Sequence, residues 1–354
     1  MINCSGSTRR DFLKTSLLGS LAALTTSSLS SLAQSHPTPP TSRVALTAGQ
    51  DRADNVFRGL KAFQKEIARA IGNRRVVIKP NNVSTEVQLC ATHADCLEGT
   101  LEFLKSIGKL RNAVIAESAA NGPTMGGFEA YHYNQLADKY SVKLVDLDQE
   151  EIERLYVFDE KDFRPHPVRA ARLLLDPNSF VISAAKMKTH DRVVATLSLK
   201  NIIVGAPIKD AGFRWGGGGK AGAKTDKPLI HGSGFRAINY NLFALARQLH
   251  PHLSIIDGFD GMEGNGPVGG TAVDHKVAVT SLDWLAADRV ALELMGIDYA
   301  KVGYLNFCAQ AGLGQGDLSR IQIVDQALAA HIKQYKLADN IEQQLVWMKP
   351  IAPA

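Results

Sequence analysis

An apolar run, Phe180-Val181-Ile182-Ser183-Ala184-Ala185, opens directly into Lys186-Met187-Lys188-Thr189-His190. Such a run reads as a buried strand, in which successive side chains alternate faces, so Lys186, Lys188 and His190 share one side. Two ammonium groups and an imidazole gathered there repel one another unless something anionic lies between them. The chemistry this points to is capture of a phosphate or carboxylate, with Lys188 holding the anion and Lys186 and His190 as candidate catalytic groups. An imidazole of ordinary pKa moves protons near neutral pH. Lys200-Asn201, Lys220 and His231 follow without a strong core pattern and extend the candidate binding set.

Other strand-like runs end the same way. Val76-Val77-Ile78 leads into Lys79-Pro80-Asn81-Asn82, Val114-Ile115-Ala116 into Glu117-Ser118, and Leu253 to Ile256 into Asp257, Asp260 and Glu263. In an open parallel sheet ligands bind outside the carboxyl ends of the strands, so polar groups collected there from four strands describe one site. Lys79 and Asn81 would polarise a second ligand oxygen. The cluster Gly261-Met262-Glu263-Gly264-Asn265-Gly266-Pro267 places a candidate catalytic carboxylate, Glu263, and a binding amide, Asn265, between glycines that permit close backbone approach. Trp215-Gly216-Gly217-Gly218-Gly219-Lys220 lacks the phosphate-loop spacing, because Ala221 stands where a Ser or Thr is needed. It reads as a mobile flap over the site, with Lys220 or Lys224 able to reach in. A divalent metal on Asp257 and Glu263, bridging to the anion, is a further option; His190 and His231 are too far apart in sequence to make a local ligand motif.

The elements that must position these groups alternate. Short apolar strands at Val44–Thr47, Val76–Ile78, Ala113–Ala116, Val142–Val145, Leu253–Ile256, Val277–Thr280 and Ile321–Val324 are separated by amphipathic stretches such as 54–71, 92–107, 128–140, 235–249 and 285–295. The pattern predicts an α/β fold with a mostly parallel sheet and helices on both faces. Tyr156-Val157-Phe158, followed by Pro165 and Pro167, predicts a small inserted hairpin or edge strands. The expected layout is a signal peptide over 1–33, a flexible leader over 34–42, the α/β domain over 43–330, and a C-terminal helix and tail over 331–354.

Composition narrows the function. The chain of 354 residues carries 40 Lys and Arg against 35 Asp and Glu. Without residues 1–33, which hold Arg9, Arg10, Lys14 and Asp11, the balance is 37 against 34, too mild to argue for nucleic acid or an anionic membrane surface. Ser7-Thr8-Arg9-Arg10-Asp11-Phe12-Leu13-Lys14 precedes a weakly apolar stretch from Leu17 to Leu32, with small residues before Gln34. This resembles a twin-arginine export signal and implies the export machinery as a partner, a periplasmic or otherwise exported mature protein, and no stable membrane span in it. Cys90, Cys96 and Cys308 do not make a disulfide framework. The step from Cys90 to Cys96 is no iron–sulfur spacing, and leaves either one bridge or buried thiols.

Lys79-Pro80-Asn81, the Lys186-x-Lys188-Thr189-His190 run with Lys200-Asn201 and Gly205 behind it, His231, and the Gly261 to Pro267 cluster together resemble the domain of unknown function 362 family over roughly Val76 to Gly296. Some members of that family resemble iron–sulfur proteins, but the ferredoxin cysteines that would carry a cluster are missing here. Three functions follow as expectations. The first is an exported enzyme acting on a small anionic substrate or cofactor. The second is a carrier that captures the same anion without turnover. The third is a metal-assisted or iron–sulfur-associated redox accessory protein.

Overall fold

A computed structural model describes residues 41–350. The export signal and nearly all of the expected leader, like residues 351–354, lie outside them. Eleven strands follow in chain order: β1 (Ser42–Ala48), β2 (Arg75–Lys79), β3 (Ala113–Glu117), β4 (Lys143–Asp146), β5 (Ile152–Phe158), β6 (Pro165–Ala171), β7 (Ser179–His190), β8 (Val194–Thr196), β9 (Leu253–Asn265), β10 (Gly269–Ser281) and β11 (Ile321–Asp325). Nine of them form one sheet in the order β11-β1-β10-β9-β7-β2-β3-β4, with β8 folded back on β7. The run β9-β7-β2-β3-β4 is parallel throughout, and so is β1 with β11; the contacts of β10 with β1 and β9 are antiparallel.

Parallel strands need crossovers, and the helices that make them cover both faces. On one face lie α1 (Arg52–Lys61), α2 (Gln64–Ile71), α3 (Ala94–Ser106), α4 (Thr124–Ala130) and α5 (Tyr133–Tyr140). On the other lie α6 (Ser198–Gly205), α7 (Phe235–Ala246), α8 (Trp284–Leu294) and α9 (Gly303–Gln310). Alternation along β7 supplies both cores: Phe180, Ile182 and Ala184 face the first group, and Val181, Ala185 and Met187 the second. Ile78, Ile115 and Ile182 stand side by side in register, fully buried. Each such side chain contributes about 1.5–3 kcal/mol by leaving water.

Some elements differ from the expectations. The stretch 54–71 is two helices, broken at Ala62 and Phe63, and 128–140 is covered by α4 and α5, separated at Tyr131 and His132. β5 and β6 form the inserted hairpin, with Pro165 and Pro167 tolerated because β6 has only β5 as a ladder partner. The Gly261 to Asn265 segment, whose secondary structure the glycines left open, is strand. It continues β9, paired residue by residue with β10. Among the described residues the C-terminal stretch, expected as helix and tail, holds only the four-residue α10 (Ile341–Gln344) and short 3₁₀ turns, and otherwise runs as a strap along the β9–β10 ribbon. Cys90, Cys96 and Cys308 are buried free thiols, so the alternative of a Cys90–Cys96 bridge is not realised. Among the described residues no helix is long and apolar enough to cross a membrane.

Candidate functional site

Lys79 and Glu117 are the last residues of β2 and β3, and the chain reaches them because both strands are apolar up to that point. Their side chains are buried and meet at the carboxyl edge of the sheet: Lys79 Nζ donates to Glu117 Oε1 at 2.7 Å, to the Pro80 carbonyl at 2.9 Å and to Asn201 Oδ1 at 3.2 Å. The other carboxylate oxygen of Glu117 accepts the Asn82 backbone N–H at 2.9 Å. Burial lowers the pKa of Lys79, and the adjacent Glu117 carboxylate opposes that fall.

Helix α6 brings the second half of the site. Asn201 Nδ2 donates to the Lys79 carbonyl and to Ser183 Oγ, and Asn201 Oδ1 also accepts from Asn81 Nδ2 at 3.0 Å, so one amide ties β2, β7 and α6 together. Gly205, at the end of α6, lies against the Lys79 stem; a Cβ there would overlap Lys79 Cε. The start of α6 has no side-chain cap of its own. Asp288 of α8 supplies it, accepting Ser198 N–H at 2.7 Å and Leu199 N–H at 3.1 Å. Burial raises the carboxyl of Asp288 to about 7.

Lys79, Asn81, Asn82, Glu117, Lys200, Asn201 and Lys227 border one small cavity of about 40 Å³. At roughly 10–15 Å³ per water, that is room for about three waters or one small polar group. The lysines around it differ in what they touch. Lys227 Nζ donates to the Gly205 and Pro207 carbonyls at 3.1 and 2.7 Å, and burial lowers it to about 7. Lys188, on β7 and outside the cavity lining, donates to the Cys90 and Pro267 carbonyls at 2.7 and 3.3 Å and is lowered by burial to about 8. Lys200 has no side-chain hydrogen bond or ion pair among the described residues; burial, then the charge of Lys188, lowers it to about 7. Asn81 Oδ1 and Asn82 Nδ2 are buried there without a partner.

The expected binding residues Lys79, Asn81, Lys200 and Asn201 thus converge, with Lys188 beside them. The other candidates are placed differently. His190 is buried and accepts the Arg192 N–H on Nδ1 at 3.0 Å. Burial and the Lys200 charge hold it well below the ordinary imidazole range, and the same two causes bring His231 to about 3. Titration near neutral pH therefore passes from imidazole to lysine. Lys186 Nζ faces Asp257 at 3.8 Å, and Asp257 also meets Arg52 Nε at 3.3 Å, so this carboxylate is already between two cations. Glu263 accepts the Lys336 N–H at 2.8 Å, and Asn265 exchanges hydrogen bonds with Asp339, so both fasten the C-terminal strap. The glycines beside them admit Tyr335 at Gly261 and the Thr189 carbonyl at Gly266. Lys220 is exposed on its loop, outside the cavity lining. Among the described residues no three His, Cys, Asp or Glu side chains are grouped to hold a metal.

Lys227 and Asp288 were missed by sequence reasoning. Lys227 follows the glycine-rich loop in a short 3₁₀ turn, and Asp288 lies inside an apolar helix pattern, where a buried Asp was itself a usable signal. A profile of the family described as domain of unknown function (DUF362) matches residues 76–293. The thylakoid-associated protein sll1697 of Synechocystis sp. is 24% identical over 242 residues, covering 68% of this chain and 68% of that one. A crystal structure of a Thermotoga maritima protein aligns with a TM-score of 0.39 at 12% identity, over 75% of this chain; this chain spans 59% of its length.

Proposed function

We propose that this chain, which belongs to the domain of unknown function 362 (DUF362) family, binds a small oxyanion, a phosphate or a carboxylate, among Lys79, Lys188, Lys200 and Lys227. The observation that carries this is Lys200: a buried amine on a cavity wall, near another buried lysine, with the charge of Asp191 acting on it but no hydrogen bond or ion pair to any carboxylate among the described residues. Burying a cation without a partner is costly, and an anion entering the cavity removes that cost. Lys79 is already matched by Glu117, so the excess positive charge belongs to the other three. Asn81 Oδ1 and Asn82 Nδ2 offer an acceptor and a donor to the same ligand. Lysines that titrate near neutral pH can also move protons, which favours turnover over capture alone. Residues 1–33 would carry the protein out of the cytoplasm before it acts.

The test is isothermal titration of the purified protein with inorganic phosphate and with oxalate at pH 7. One saturable site is expected, weakened at least about tenfold, or about 1.4 kcal/mol, by Lys200→Met. Absence of binding by both anions, or equal affinity in the variant, refutes the assignment.

A further inference from the structure

Imine formation takes both hydrogens from a lysine amine. The nitrogen lone pair attacks a carbonyl carbon, one N–H proton passes to the oxygen to give a carbinolamine, and the second leaves with the hydroxyl as water. A lysine whose N–H groups already bind protein acceptors must abandon them to react, at about 0.5–1.5 kcal/mol for each bond and more where a buried acceptor is left alone. Lys79 would abandon Glu117, the Pro80 carbonyl and Asn201. Lys227 would abandon the carbonyls of Gly205 and Pro207, and Lys188 those of Cys90 and Pro267. Lys200 abandons nothing: it is the one lysine of the cavity wall without a side-chain partner among the described residues.

We propose that Lys200 is a carbonyl-reactive amine that condenses with the oxo group of a small 2-oxo acid to form an imine, while the neighbouring lysines hold the acid's carboxylate. This rests on the oxyanion site described above and names the class of ligand for it. The geometry supplies the remaining parts. The exchange balances between the amine, the carbonyl and the departing water and needs no further reactant, and Lys227 borders the same cavity. Lys188 and His190 from β7, Asp191 just beyond it and His231 are the titratable groups whose charges act on Lys200 or respond to it. At pH 7 about half of Lys200 is free amine. An exposed lysine of ordinary pKa is unprotonated only to roughly one part in 2,000 at that pH, so an advantage of about a thousandfold in reactive species favours this position.

The experiment uses glyoxylate as the probe, with cyanoborohydride to reduce the imine to a stable carboxymethyl-lysine at pH 7, followed by intact mass and peptide mapping. The expected result is one carboxymethyl group, on Lys200, appearing before any surface lysine is labelled and slowed by inorganic phosphate. Lys200→Arg, which keeps a cation but removes the nucleophile, should lose that early adduct. Labelling of Lys188 or Lys227 in its place, or labelling spread over surface lysines with Lys200 unmodified in the wild-type protein, overturns the inference without use of any variant. Calorimetric phosphate binding with no early adduct rejects the imine and leaves the oxyanion site standing. An early Lys200 adduct indifferent to phosphate supports the amine chemistry and rejects the oxyanion site.

Discussion

Replacing Lys200 by Met should make the unliganded protein more stable, by an amount that depends on pH in a defined way. The lysine falls from its ordinary value of 10.5 to about 7 because burial penalises the ammonium. Below pH 7 the folded and unfolded states both carry the proton, and the folded state bears the whole penalty, on the order of 5 kcal/mol. Between pH 7 and 10.5 only the unfolded chain keeps the proton, so wild-type stability from this group climbs as pH rises. At pH 10 the remaining penalty is below about 1 kcal/mol. Met has a stem of similar length and no charge, so Lys200→Met should gain several kcal/mol over wild type at pH 6.5, and the two should converge by pH 10. Urea unfolding of both proteins at pH 6.5, 8 and 10, in a buffer free of phosphate and carboxylate, measures the difference directly. A variant less stable than wild type, or a gain that does not change with pH, would show that Lys200 is not held as an unpaired buried cation. The same unfolding curves with phosphate present should shift upward for wild type and stay in place for the variant, because mass action acts only on the form that binds.

Glu117→Gln removes the one carboxylate paired with Lys79 among the described residues and should cost about 3–5 kcal/mol at pH 7 by urea unfolding, as expected when one member of a buried ion pair is lost; a loss below about 1 kcal/mol would contradict the pairing. Asp288→Ala leaves the Ser198 and Leu199 N–H groups without acceptors and should cost about 2–4 kcal/mol. Because α6 carries Lys200 and Asn201, it should also weaken phosphate binding, and unchanged affinity would separate the cap from the site. Replacing Arg9 and Arg10 together by Lys should leave precursor in the cytoplasm on fractionation, whereas normal appearance of mature protein outside would reject the export signal.

Short-range pattern was enough for much of this protein. Continuous apolar runs that end in Lys79, Glu117 and Lys186 mark buried parallel strands, because a strand covered on both faces must be apolar along its length. The rule that ligands lie at strand ends then singles out Lys79 and Asn81 from sequence alone, whereas Lys200 and Asn201, on α6, stood out only as polar residues without a core pattern. Other features depend on contacts between residues distant in sequence, where spacing carries no information. Glu117 meets Lys79 only because β2 and β3 are neighbours in register, and Asp288 caps α6 from a helix that follows it by some ninety residues. Glu263 and Asn265 are polar residues among glycines in sequence, equally suited to a ligand or to a strap; the return of the chain at Lys336 and Asp339 decided for the strap. The exchange of roles between His190 and Lys200 has the same origin. A side chain's type sets its pKa in water, but the protons it holds at pH 7 are set by how much water and charge the folded protein leaves around it, and only the packing of β7 against α6 determines that.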